Sequence, residues 1–253
     1  MLTLSLLTTQ QLILLGAAAV VGGVIFGVAG FAFGVIASLF LHHGFATSDV
    51  IFIVVAGGLV LNLGLLPRFW SDLDFLRSLP FLTGATLGLP IGLILLYALP
   101  PPSIRLIAAV LIIGYCLFAL RQRTREPLRL SVRSGRAADT AIGFAGGMVG
   151  GICGLGPLIP SIWYGLRGMS KTEQRALTQP FALYVQGLMV GWFLFRGHVS
   201  DSATQSIALA SPVMLLAAWL GVRLFDAIST IGFQRMIIGL SLIGGVLLLW
   251  QQL

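Results

Sequence analysis

Six stretches of this chain, residues 51–66, 79–99, 104–120, 177–195, 207–224 and 233–250, are dominated by apolar side chains and nearly free of charge. A bilayer core about 30 Å thick is crossed by a helix of about 20 such residues. Two more runs, 12–41 and 141–166, are longer and rich in glycine. Only 9% of the residues are charged, 57% are hydrophobic, and the mean hydropathy is +1.01. A soluble domain carries about 25% charged residues. The sequence therefore predicts an all-α polytopic membrane protein.

The net charge of +7 does not point to nucleic acid. Its cations lie between the apolar runs, where they act as topology signals. Arg121, Arg123, Arg125, Arg129, Arg133 and Arg136 fall in residues 121–138 against the single acid Glu126. That segment reads as a polar linker between a first membrane repeat, 1–120, and a second, 139–253. The N-terminus shows no basic leader and no small-residue cleavage site, so the run from Leu12 reads as a membrane segment. Cys116 and Cys153 read as small buried thiols. With His42, His43 and His198 scattered, neither a metal site nor a cofactor is expected.

The two glycine-rich runs align without a gap. "GGVIFGVAGFAFGVIASLFLHHGF" at 22–45 and "GGMVGGICGLGPLIPSIWYGLRGM" at 146–169 superpose Gly22, Gly23, Gly27, Gly30 and Gly44 on Gly146, Gly147, Gly151, Gly154 and Gly168. The same shift pairs Asn62 with Gln186, two amides inside apolar segments. Ser38 falls opposite Ile162, with Ser161 one position away, and Arg105 matches Arg235 at a slightly larger shift. Matched glycines, amides and segment order indicate an internal repeat.

Each glycine-rich run could cross once as a broken helix or return as a hairpin of two short arms, and length does not decide. Charge favours the hairpin. If both runs cross, the cations divide 9 to 6 between the two sides; if both return, 13 of the 15 share one side and only Arg105 and Arg196 remain on the other. Each half then has a re-entrant, glycine-broken helix plus three spans, and the odd number inverts the second repeat relative to the first. The linker would be cytoplasmic and both termini outside.

Irregular backbone at membrane depth needs protein or water to satisfy it. Gly30 and Gly34 in the first run, and Gly154 and Gly156 in the second, permit such a break. Pro157 suits the start of a second arm. A helix beginning there aims N–H groups and a positive dipole end at the break, which fits an anion. The alternative is that these glycines only let helices pack closely. Ser38, Ser161, Asn62, Gln179 and Gln186 are the polar side chains nearest the breaks. Amides in a membrane line a pathway or bond between helices; Gln179, just before Pro180, has the further option of the carbonyls freed by a kink. Arg175, near Arg167, Lys171 and Glu173, reads as a solvated anchor or as an electrostatic funnel at the cytoplasmic mouth. Trp70, Trp163, Trp192 and Trp250 read as interfacial or packing residues.

The paired glycine-rich segments, above all "GGICGLGPLIPSIWYGLRGMSKTEQRALTQPF" at 150–181 with Pro160, Gly168, Glu173 and Thr178, resemble the sulfite exporter TauE/SafE family, also called the toluene sulfonate uptake permeases. The first run departs further, with Ile36 opposite Pro160. The resemblance implies a multi-pass permease of the bacterial inner membrane. It would carry a small sulfur-containing anion, such as sulfite or an organosulfonate, driven by a coupling ion (proton or sodium). Cys153, inside the break, would stand close to a sulfur substrate, though a packing role is the simpler one.

An anion channel, a carrier of another small organic anion and a non-transporting membrane partner protein are the competing functions. An intramembrane enzyme is disfavoured, because Asp49, Asp72, Asp74, Glu126, Asp139, Glu173, Asp201 and Asp226 all lie at segment ends or in loops.

Overall fold

The computed structural model describes residues 7–30, 32–121, 128, 130–197 and 199–225, together with 242, 246 and 249. Among them every regular element is helical: α1 (Thr9–Ala29), α2 (Phe33–Leu41), α3 (Thr47–Phe69), α4 (Phe75–Ala98), α5 (Pro101–Arg121), α6 (Val132–Cys153), α7 (Leu158–Leu166), α8 (Lys171–Arg196) and α9 (Asp201–Phe225), with a 3-10 turn at Trp70–Asp72. Five of these helices are long and apolar enough to cross a membrane: α1, α3, α4, α5 and α9. Leu76, Leu87, Ile94, Phe195 and Leu216 are exposed. So much apolar surface suits lipid rather than water. Apart from residues 242, 246 and 249, the expected last span at 233–250, with Arg235 and Trp250, lies outside the described residues, as do Arg123, Arg125, Glu126 and Arg129 of the linker.

Polar caps set where the long helices start. The Thr8 hydroxyl accepts from Gln11 N–H while the Gln11 side chain accepts from Thr8 N–H, a reciprocal capping box at α1. Ser170 and Glu173 form the same box at α8. Ser131 caps α6, which therefore begins at Val132, inside the segment expected to be linker. Arg133 and Arg136 belong to the first turns of that helix.

Both glycine-rich runs break at the residues the repeat pairs. Gly30 ends α1 at φ +82 and Gly154 ends α6 at φ +77. Each donates its N–H four residues back, to Phe26 O and Gly150 O, both at 2.7 Å. A left-handed residue at this position is the ordinary glycine helix stop. The arms are unequal. α1 has 21 residues and α2 has 9; α6 has 22 and α7 has 9. The first arms are thus about 31–33 Å long, not the roughly 18 Å of an evenly divided hairpin.

The short arm lies back along the long one. Gln11 Nε2 donates to Gly44 O at 2.9 Å, and Gln10 Nε2 to His43 O at 3.4 Å, joining the start of α1 to the turn after α2. In the second pair, Trp163 Nε1 donates to Asp139 Oδ1 at 2.7 Å and Arg167 pairs with Asp139 at 3.6 Å. Leu128 N–H donates to Leu166 O at 2.9 Å, tying the linker to the end of α7.

Each long arm packs on the other half of the chain. Gly84, Gly88 and Gly92 of α4 face the backbone at Thr140, Phe144 and Met148 of α6, while Gly143 and Gly147 face Phe81 and Ala85 in return. Gly23 and Gly27 of α1 face Met214 and Ala218 of α9, and Gly221 faces Val24. Small residues permit this approach, which supplies association energy where no hydrophobic effect acts between helices.

Candidate functional site

The two breaks are close neighbours. A Cβ placed on Gly34 would sit 2.9 Å from Val54 Cγ1, 3.2 Å from Leu155 Cδ2 and 3.9 Å from Gly154 O. Gly154 itself rests against Val54, Val55 and the carbonyl of Ile51 on α3. Gly30 rests against the guanidinium of Arg175 on α8. Ile51 and Arg175 are related by the same shift as Gly30 and Gly154, so the two contacts are counterparts with different side chains. Gly156 packs on Gly146 O and the Gly150 backbone.

The short arms offer different donors. In α2, Ile36 N–H bonds Ala32 O at 3.2 Å, and the N–H groups of Phe33, Gly34 and Val35, in its first turn, have no acceptor within the helix. In α7, Leu158 N–H already bonds Leu155 O at 3.1 Å and Ile159 N–H bonds Gly156 O at 3.4 Å. Pro157 and Pro160 have no N–H to give.

Both serines are buried, and both spend their protons locally: Ser38 Oγ donates to Gly34 O and Ser161 Oγ to Leu158 O, each at 2.7 Å. They face a ligand as acceptors unless these bonds open. Cys153 Sγ likewise donates to Val149 O at 3.3 Å. Asn62 and Gln186 meet directly. Asn62 Nδ2 donates to Gln186 Oε1 at 3.1 Å and to Gly58 O at 2.9 Å, leaving Asn62 Oδ1 buried without a partner. Gln179 is also buried, and its Oε1 has no partner. An unpaired buried carbonyl costs roughly 1–3 kcal/mol, so both amides keep capacity for a donor such as water or a protonated ligand.

Arg175, expected at the mouth, reaches the first break. Its Nη2 donates to Gly27 O at 3.0 Å and Val28 O at 3.4 Å, and its Cζ lies 4.2 Å from the centroid of the Phe69 ring. Along α3 the order is Val54 and Val55 at the second break, then Asn62, then Phe69 beside the first. Nothing in the sequence singled out Phe69, Val54 or Leu155; each reads there as one more apolar residue.

A separate cleft of about 200 Å³ opens between the starts of α4 and α8, lined by Asp72, Asp74, Arg77, Thr172, Glu173, Ala176 and Leu177. Hydrogen bonds from Ser170, then from Arg77, hold the Glu173 carboxyl below the ordinary carboxylate range. Arg77 pairs with Glu173 at 3.3 Å, both half-exposed. Three carboxylates against one arginine make this cleft unsuited to an anion, and we place the candidate site at the breaks.

The described chain is all helical, with five helices long and apolar enough to cross a membrane, and its two glycine stops lie close together. The sulfite exporter TauE/SafE family profile matches residues 14–248, nearly the whole chain, and the protein belongs to that family. It is a family of membrane transporters, not of enzymes, and its described substrate is a small anion. No curated protein and no solved structure matches the chain.

Proposed function

We propose that this protein is a secondary transporter of small sulfur-containing anions, sulfite or organosulfonates, in a bacterial inner membrane. The anion is held between the two breaks by N–H groups of the first turn of α2 and by the polar side chains Ser38, Ser161, Asn62, Gln179 and Gln186. The observation that carries this reading is the pair of left-handed stops at Gly30 and Gly154, which bring irregular backbone together inside an apolar chain. Such backbone is tolerated at membrane depth where it lines a site. The coupling ion is a proton or sodium.

Labelled uptake into proteoliposomes tests it. Sulfite or a sulfonate should enter saturably and faster under an imposed ion gradient, while sulfate competes weakly. If no sulfur anion moves or competes, the substrate reading fails. Conductance without coupling to a gradient would replace the carrier with a channel.

The two halves, 1–120 and 139–253 about a cytoplasmic linker, are proposed as inverted repeats with re-entrant hairpins. Three observations support this: the returning arms, the reciprocal packing of α1 on α9 and α6 on α4, and the contact between the repeat-paired amides Asn62 and Gln186. Equivalent residues touch each other where a two-fold axis passes. Single cysteines at Ser134 and Thr172, in a background lacking Cys116 and Cys153, should react with an impermeant maleimide from the same face. Labelling from opposite faces would mean that the run 141–166 crosses once.

A further inference from the structure

We propose that Arg175 is a direct ligand for the transported oxyanion, bound at the first break. This rests on the anion-transport reading and assigns the charge that reading lacked. The guanidinium carries five N–H donors in a planar fork. Two carbonyls, Gly27 O and Val28 O, take up Nη2. Among the described residues, Nε and Nη1 have no hydrogen-bond partner, and no carboxylate lies within ion-pair distance of Arg175. Arg68 approaches the same Phe69 ring, its Cζ 5.9 Å from the centroid. Two guanidiniums thus approach one aromatic ring; Asp72 is near enough to act on Arg175 through its charge, but no carboxylate is ion-paired to either arginine among the described residues.

The surroundings fit this use of the fork. The Phe69 face fixes the plane of the guanidinium. Gly30 leaves room for it: a Cβ there would come within 3.1 Å of Nε. The first turn of α2, which starts at Phe33, begins three residues after Gly30. A sulfur oxyanion has two or more oxygens on one centre; with Nη2 held by the two carbonyls, Nε and Nη1, on different edges of the guanidinium, each offer it one charge-assisted hydrogen bond. At the counterpart position the other half has Ile51. The arrangement therefore makes one charged site per chain, not two.

The competing role is a helix cap, since basic side chains also bond the last carbonyls of a helix. A lysine can still cap, but a single ammonium cannot cap and also hold out the separate Nε–H and Nη1–H donors that arginine keeps. Sulfite and methanesulfonate binding to the purified full-length protein should be measured by calorimetry, with neutral dimethyl sulfone as the control. Wild type should bind one sulfite per chain and no sulfone. Arg175→Lys should weaken binding by about tenfold or more, the loss of one charge-assisted hydrogen bond, with little change in the unliganded melting temperature; Arg175→Gln should bind nothing measurable. Methanesulfonate, which does not react with the reagent, should also protect Arg175 of the wild-type protein from phenylglyoxal, a readout that needs no variant. If both variants bind sulfite as wild type does, or if methanesulfonate gives no protection, Arg175 is a cap and the inference is wrong. If wild type binds neither anion, the transport reading itself falls, and the inference with it.

Discussion

Gly88→Leu is expected to separate α4 from α6 and leave no folded protein. A Cβ at Gly88 would overlap Phe144 O, with Phe144 C at 2.8 Å and Met148 N at 3.0 Å. These are backbone atoms of a helix, so relief requires the whole of α6 to withdraw. Withdrawal also opens the contacts at Gly84, Gly92, Gly143 and Gly147, which line the same seam. A gap of 0.5–1 Å already forfeits about a quarter to a half of each dispersion contact. In a membrane no hydrophobic gain between helices offsets that loss. The cost should therefore exceed the roughly 1–3 kcal/mol of ordinary overpacking. Gly114→Leu is the control, since a Cβ there meets nothing within 4 Å. Size-exclusion profiles and thermal melts in detergent decide the matter. A monodisperse Gly88→Leu protein melting like wild type would mean that the helices do not approach so closely.

Hydropathy found α3, α4, α5, α8 and α9, because each buries or presents to lipid a long apolar face. The aligned glycines found both helix stops, because only glycine adopts the left-handed conformation there without strain. Other features are set by atoms that hydropathy does not register. α6 begins seven residues before the boundary at 139, because Ser131 caps a helix whose first turns carry Arg133, Arg136 and Asp139. The arms are unequal for the same reason. Arg175 stands just before an apolar run and so reads as an anchor, yet its partners, Gly27, Val28 and Phe69, are all more than 100 residues away in sequence and only the fold brings them near. Ser38 and Ser161 could be listed by residue type, but sequence gives no sign that their protons are already bound to Gly34 and Leu158.

Gly154→Leu should act in the opposite way to Gly88→Leu: a tolerable loss of stability and a severe loss of transport. The left-handed conformation at φ +77 costs a non-glycine residue roughly 1–2 kcal/mol. The nearest atoms to a new Cβ are Val55 Cγ2 at 3.0 Å and Val54 Cγ1 at 3.4 Å, ends of side chains that can shift. The protein should therefore insert, fold and melt a few degrees lower. The rest of the leucine side chain must then find room where Gly154 O, Gly34 and Leu155 converge, pushing the two breaks apart. Uptake should fall by about tenfold or more, the usual penalty when bound groups are displaced by an ångström. Gly197→Leu separates strain from position. Gly197 has φ +65 and nothing within 4 Å of its Cβ site, and it caps α8 away from the breaks. It should lose comparable stability and keep its uptake. Equal losses of uptake in the two variants would assign the defect to backbone strain alone. Wild-type uptake by Gly154→Leu would remove the second break from the mechanism, leaving the anion to α2 and Arg175.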